Sequence, residues 1–181
     1  CPGVQQTVTV NINPTPTLTS ANTATLCSGG SVNIPLTANV ASTYTWVANS
    51  NANVTGESTT NQTANTLNNT LTTAVGSAPE TVLYTITPQS IAGACSGTPQ
   101  TVTVTVNSLP IVTATTSSAA ICLGNTATLT ATGADTYTWT SGPTAATQTV
   151  NAPGTYTVRG TNAVTGCTNT SRVATNSVAV N

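Results

Sequence analysis

Few side chains in this 181-residue chain can do chemistry: the carboxylates of Glu57, Glu80 and Asp135, the guanidinium groups of Arg159 and Arg172, four tyrosines and five cysteines. There is no His and no Lys. That removes the Ser–His–Asp triad, the Cys–His pair, Schiff-base chemistry and the phosphate-binding P-loop together. A zinc site would have to use cysteine alone, and no two cysteines stand in C-x-x-C spacing. Paired carboxylates can hydrolyse glycosides, but three acids are too few to fill the roles an active site demands. No enzyme and no cofactor are expected. The thiols remain, and five of them in so polar a chain point to disulfides in an oxidising, extracellular setting.

The surroundings of these groups are unusual. Charged residues make up 3% of the chain, against about 25% in an average soluble domain. Threonine supplies 45 residues, asparagine 19 and serine 15, so hydroxyls and amides must solvate the surface. A net charge of −1 offers no footprint for nucleic acid or anionic lipid. No apolar run approaches the roughly 18 residues of a membrane-spanning helix, so no membrane insertion is expected.

An internal repeat organises the chain. Residues 1–16, CPGVQQTVTVNINPTP, align without a gap on residues 95–110, CSGTPQTVTVTVNSLP. Cys27-Ser28-Gly29 parallels Cys122-Leu123-Gly124, and Thr43-Tyr44-Thr45-Trp46 parallels Thr136-Tyr137-Thr138-Trp139. Tyr84-Thr85-Ile86 parallels Tyr156-Thr157-Val158, and Val178–Asn181 repeats the phase of Val104–Asn107. This predicts two complete units, 14–107 and 108–181, preceded in 1–13 by the last strand of another repeat. A segment of a longer array is expected.

Within each unit the period is two. TVTVTV (101–106) puts valines on one face and threonines on the other, and TATLTA (126–131) and TYTWT (136–140) alternate likewise. Such alternation with β-branched residues predicts half-buried antiparallel strands, and 62–75 is the one stretch left ambiguous. Turn residues separate the runs at SGG (28–30), GN (124–125), APG (152–154) and VTG (164–166). Short strands at this spacing predict an all-β chain of tandem immunoglobulin-like antiparallel β-sandwiches. The aromatics Tyr44, Trp46, Tyr84, Tyr137, Trp139 and Tyr156 occupy matched positions. A shared core accounts for all of them and leaves none over for a stacking platform.

The cysteines follow the repeat. Cys1 aligns with Cys95, which argues against a lipidated first residue. The simplest pairing is within units, Cys27–Cys95 and Cys122–Cys167, leaving Cys1 without its partner. A staple across the joint, Cys27 to Cys167, is the alternative. It arises because in a standard sandwich the start of strand B and the start of strand G lie at opposite ends, and a disulfide needs Cα atoms within about 7 Å.

As a set, these motifs resemble a known family. NVTG (53–56), TLNNT (66–70), TVLYTITP (81–88) and ACSGTPQTVTVTVN (94–107) make unit one similar to the PKD-like repeats of secreted Bacteroidota proteins. AAICLGNTATLTATGADTYTW (119–139), PGTYTVRGTN (153–162) and GCTNT (166–170) make unit two resemble the shorter immunoglobulin-like repeats beside them. Such repeats build long surface adhesins, including the SprB-type adhesins of gliding bacteria. The resemblance implies a sandwich fold, an extracellular cell-surface location and export by the type IX system. Relatives bind Ca²⁺ through clustered acids. Here only Asp135 falls in a suitable loop, and no strong metal site is expected.

The expected function is therefore that of non-catalytic spacer repeats in a cell-surface filament, giving reach and mechanical continuity, with neighbouring repeats as partners. Asn107-Ser108-Leu109-Pro110 and Asn13-Pro14-Thr15-Pro16 are short joints stiffened by proline. Edges poor in charge leave room for lateral self-association. An alternative is binding of surface glycans through the longer region 47–83 of unit one, whose bland reading is an additional hairpin. A remote alternative is ice binding through the recurring T-x-T pairs.

Overall fold

The computed structural model describes residues 2–140 and 142–177. Cys1, the phase of residues 178–181 and any pairing of either lie outside the described residues.

Alternation becomes strand wherever a partner is present. Unit one contributes β1 (Thr23–Cys27), β2 (Gly30–Ser31), β3 (Ile34–Pro35), β4 (Ser42–Ala48) and β5 (Val54–Thr55). It continues with β6 (Thr66–Leu67), β7 (Thr70–Thr73), β8 (Glu80–Ser90) and β9 (Gln100–Asn107). The main sheet runs β1-β9-β8-β4, opposed by β2-β7-β5 with β3-β6 beside it. Val102, Val104 and Val106 of β9 are fully buried, as are Val82, Tyr84 and Ile86 of β8, while the intervening threonines face outward. At about 1.5–3 kcal/mol for each fully buried aliphatic side chain, these two strands anchor the sandwich. The ambiguous stretch 62–75 folds as β6 and β7, which send Leu67 and Leu71 into the same core.

Unit two contributes β10 (Thr113–Thr116), β11 (Ala120–Ile121), β12 (Ala127–Thr132) and β13 (Thr136–Trp139). The chain then forms β14 (Thr147–Val150), β15 (Gly154–Thr161) and β16 (Thr168–Ser177). Its sheets are β10-β12-β14 and β11-β16-β15-β13, closed over a separate core around Leu129, Trp139 and Val158. The fold is all-β, two sandwiches in tandem, and among the described residues pairing is antiparallel except at one place in each unit.

That place matters. β1 runs parallel to β9, and β11 parallel to β16. Parallel partners need a long crossover, and here nearly the whole unit serves as one. The consequence is positional: Cys27, the last residue of β1, stands opposite Asn107, the last residue of β9.

The aromatic positions behave unequally. Trp46 and Trp139 are buried in their respective cores, and each indole N–H donates to a carbonyl later in its unit, Ala64 at 3.0 Å and Ala145 at 3.1 Å. Tyr44 and Tyr137 are also buried, and Tyr84 meets Trp46 edge to face with ring centroids 5.9 Å apart. Tyr156 is different. It is only partly buried at the margin of the second core, its hydroxyl donating to the Ala152 carbonyl at 2.7 Å. In unit one Asn69 covers the equivalent Tyr84 and accepts its hydroxyl at 3.0 Å; the shorter unit two has no such cover.

Residues 2–13 belong to no strand, although TVTVNI alternates as well as β9 does. Val8, Val10 and Ile12, the counterparts of Val102, Val104 and Val106, stand out in solvent. A period of two specifies a strand only when another strand accepts its hydrogen bonds.

Candidate functional site at the joint between the units

Two of the cysteines meet at the joint. Cys27 is bonded to Cys167 with Cα atoms 5.6 Å apart across 140 positions of sequence, while Cys95 and Cys122 are free. This corrects the within-unit pairing, and strand direction is the reason. Cys95 precedes β9, whereas Cys27 lies opposite the far end of β9. The length of that strand, roughly 23 Å at about 3.3 Å per residue, separates them. Cys122 and Cys167 are held apart in the same way by β16, since Cys167 precedes it and Ile121 pairs with Ser177 at its other end.

Each half of the staple has its own support. On the unit-one side the Ser28 N–H donates to the Asn107 carbonyl at 2.8 Å, and the Ser28 hydroxyl bridges the backbone of Thr73, donating to its carbonyl and accepting from its N–H. Gly29, at φ +85°, turns the chain back into the opposing sheet. On the other side Cys167 is fully buried at the end of a tight hairpin. Asn162 Oδ1 accepts from the N–H groups of Val164 and Thr165, and the Asp135 carboxylate accepts from the Ala163 N–H at 2.7 Å. The acid expected in a metal-type loop therefore shapes the cysteine hairpin.

The linker between the cysteines is gripped from both units. Ser108 donates its hydroxyl to the Ser77 carbonyl at 2.6 Å, and Gly76 N–H donates to the Leu109 carbonyl at 2.9 Å. From unit two, Asn169 Nδ2 donates to the Pro110 carbonyl at 3.0 Å, and Val112 inserts into the second core. Gly133, at φ +92°, lies so close that a Cβ there would strike the Ile111 carbonyl. An open cleft of about 550 Å³ remains, lined by both units, with Asp135 and Asn162 at one side.

The insertion at 47–83 is put to structural use. Val54, Leu67 and Leu71 pack into the core, and β5 pairs antiparallel with β7 across the intervening β6. Residues 58–62 line the outer edge of β4, with Trp46 and Gln62 exchanging backbone hydrogen bonds at 2.9 and 2.8 Å. Glu80 accepts from the side-chain amides of Asn51 and Asn53 at 3.0 and 2.9 Å, and Glu57 accepts from the Asn51 N–H at 3.2 Å. Both acids are thus engaged in holding their own loop. Burial, helped by the nearby Glu57 charge, raises the Tyr84 hydroxyl above its ordinary value. Burial also raises Tyr44.

No helix among the described residues is long and apolar enough to cross a membrane. No curated protein sequence matches the chain. Among solved structures, the amphioxus IgVJ-C2 molecule is 15% identical, with a TM-score of 0.34 over 84% of this chain and 99% of that one. Mouse cadherin-23 EC22-24 is 13% identical, with a TM-score of 0.37 over 93% and 68%. The N-terminal four Ig domains of Dscam1 isoform 8.4 give 13% identity and a TM-score of 0.30 over 95% and 46%, so the chain spans about half their length. TM-scores this low carry no weight for fold or function. The family comparison is more specific, because the PKD-like domain family matches residues 24–110, from β1 through β9 to the linker proline. The chain is thus an all-β repeat protein whose first sandwich is similar to the PKD-like domain family.

Proposed function

We propose that the chain is a pair of non-catalytic spacer repeats from a long extracellular adhesin or cell-surface filament, whose work is reach and mechanical continuity. The observation that carries this reading is the clamped joint. A linker hydrogen-bonded to both units and spanned by a disulfide resists bending and pulling apart, which a binding or catalytic module does not require. The disulfide suits an oxidising compartment. Export by the type IX system and membership of a SprB-type adhesin belong to the same reading.

Residues 1–13 take the part of the last strand of a preceding repeat. Support comes from Val8, Val10 and Ile12, which present an exposed apolar face in the phase that β9 buries. Units 14–107 and 108–181 follow it. The primary partners are neighbouring repeats, with lateral association along low-charge edges such as β14, which among the described residues pairs with β12 alone.

Small-angle scattering tests the spacer role. Sandwiches of roughly 30–40 Å each, placed end to end, give a largest dimension of roughly 70 Å or more. A compact, folded-back pair would overturn the proposal.

A further inference from the structure

Among the described residues the disulfide leaves two thiols over, and their positions are not arbitrary. Cys122 is placed as Cys27 is. Each comes directly at the end of a short strand that pairs in parallel with the last strand of its unit. Each is followed two residues later by a glycine of left-handed conformation, Gly29 at φ +85° and Gly124 at φ +86°.

Cys95 is placed as Cys167 is. Each lies in the connection leading into the last strand of its unit, Cys95 before β9 and Cys167 before β16. In each unit this part of the chain, the connection in unit one and the start of β16 in unit two, also leans on the linker that enters its own unit. Gly93 and Gly97 abut the Asn13 side chain and the Pro16 carbonyl, while Asn169 donates to the carbonyl of Pro110, the counterpart of Pro16. Both Cys95 and Cys122 are free and partly accessible.

We propose that Cys95 and Cys122 are the two open halves of the same inter-repeat staple. Cys122 takes the hairpin cysteine of a following repeat, and Cys95 takes the turn cysteine of a preceding one. The partner is another repeat of this kind, identified by a thiol at the position that Cys167 or Cys27 occupies here. This inference rests on the reading of the chain as spacer repeats.

The chemistry is a two-electron oxidation. Two thiols become one disulfide and release two protons, and a small-molecule disulfide accepts the electron pair and becomes two thiols. The Cys122 thiolate attacks that reagent and displaces one thiolate; the facing hairpin thiolate then attacks the mixed disulfide and displaces the other. The mechanical consequence is overlap. One loop closes from Cys27 to Cys167, the next opens at Cys122, and residues 122–167 lie inside both. A run of such loops leaves no joint held by the linker alone.

A fusion of residues 1–181 followed directly by residues 14–181 tests this, because Asn181 then precedes Pro14 as Asn13 does. After refolding with oxidised and reduced glutathione, free thiols are alkylated and the non-reduced peptides are mapped by mass. Expected are Cys27–Cys167 in both copies and a third disulfide from Cys122 of the first copy to Cys95 of the second. With Cys122→Ser in the first copy, the second copy's Cys95 should be recovered alkylated. If Cys27–Cys167 forms in both copies while that Cys122 stays alkylated, or pairs elsewhere, the inference fails and the spacer reading survives. If Cys27–Cys167 itself is missing, both fail.

Discussion

Replacing Cys167 with serine should weaken the unit that does not contain it. Cys167 belongs to the second sandwich, yet its bond to Cys27 closes a loop around the first. When unit one unfolds while unit two stays folded, the chain from Cys27 to the linker at Pro110 remains tethered at both ends. That loop is on the order of 80 residues. Chain entropy gives about 4–5 kcal/mol for closing it, and disulfides usually deliver about 2–4 kcal/mol. For a domain of this size each kcal/mol moves the midpoint by about 4–8 °C, so the unit-one transition should fall by about 10–30 °C. The assay is thermal unfolding followed by Trp46 fluorescence in a Trp139→Phe background, which isolates unit one. Cys27→Ser and the double variant should give the same shift. If Cys167→Ser leaves the Trp46 transition in place while a reductant lowers it, Cys27 pairs inside its own unit. The argument from the parallel β1–β9 pairing would then be wrong.

Other substitutions test the supports. Gly133→Ala drives a methyl group into the Ile111 carbonyl at a left-handed φ, and should destabilise unit two by about 1–3 kcal/mol in denaturant titrations. Glu80→Ala removes the acceptor of the Asn53 amide and one of the two acceptors of the Asn51 amide; unit one should lose about 0.5–1.5 kcal/mol and unit two nothing, read from the separate transitions. Tyr84 predicts an alkaline limit. Its folded hydroxyl holds its proton above the ordinary value of about 10, so the unfolded chain ionises first. Stability is fully present below about pH 10 and is lost as pH rises beyond it. Tyr84→Phe should flatten that decline in unit one while losing about 1 kcal/mol at neutral pH with the Asn69 hydrogen bond; an unchanged slope between pH 9 and about 11 would remove Tyr84 as its source.

Local pattern was legible where it concerned one strand at a time. Val102, Val104 and Val106 could be assigned to the core from alternation alone, and the matched Tyr-x-Trp motifs marked the equivalent strands β4 and β13. What depended on two distant segments was harder. The direction of β1 relative to β9 has no local signature, yet it decides which cysteines meet. Tyr84 and Tyr156 share a motif but not an environment, because only unit one folds residues around 58–71 over its tyrosine. Residues 4–12 make the same point in reverse: a strand-like sequence stays unpaired where no partner strand accepts it. Asp135 and Asn162, which shape the hairpin of Cys167, carried no sequence signal beyond their place in turns.

The most direct test of the clamped joint is to stretch single molecules of the chain by their ends before and after adding a reductant. In the oxidised chain, force passes from Cys27 to Cys167 and the 140 positions between them cannot extend. Reduction should therefore release roughly 480 Å of additional length in total, at about 3.3–3.6 Å per residue. A total of only roughly 390 Å at the same length per residue, matching loops closed separately from Cys27 to Cys95 and from Cys122 to Cys167, would contradict the account, and so would an extension that reductant does not change.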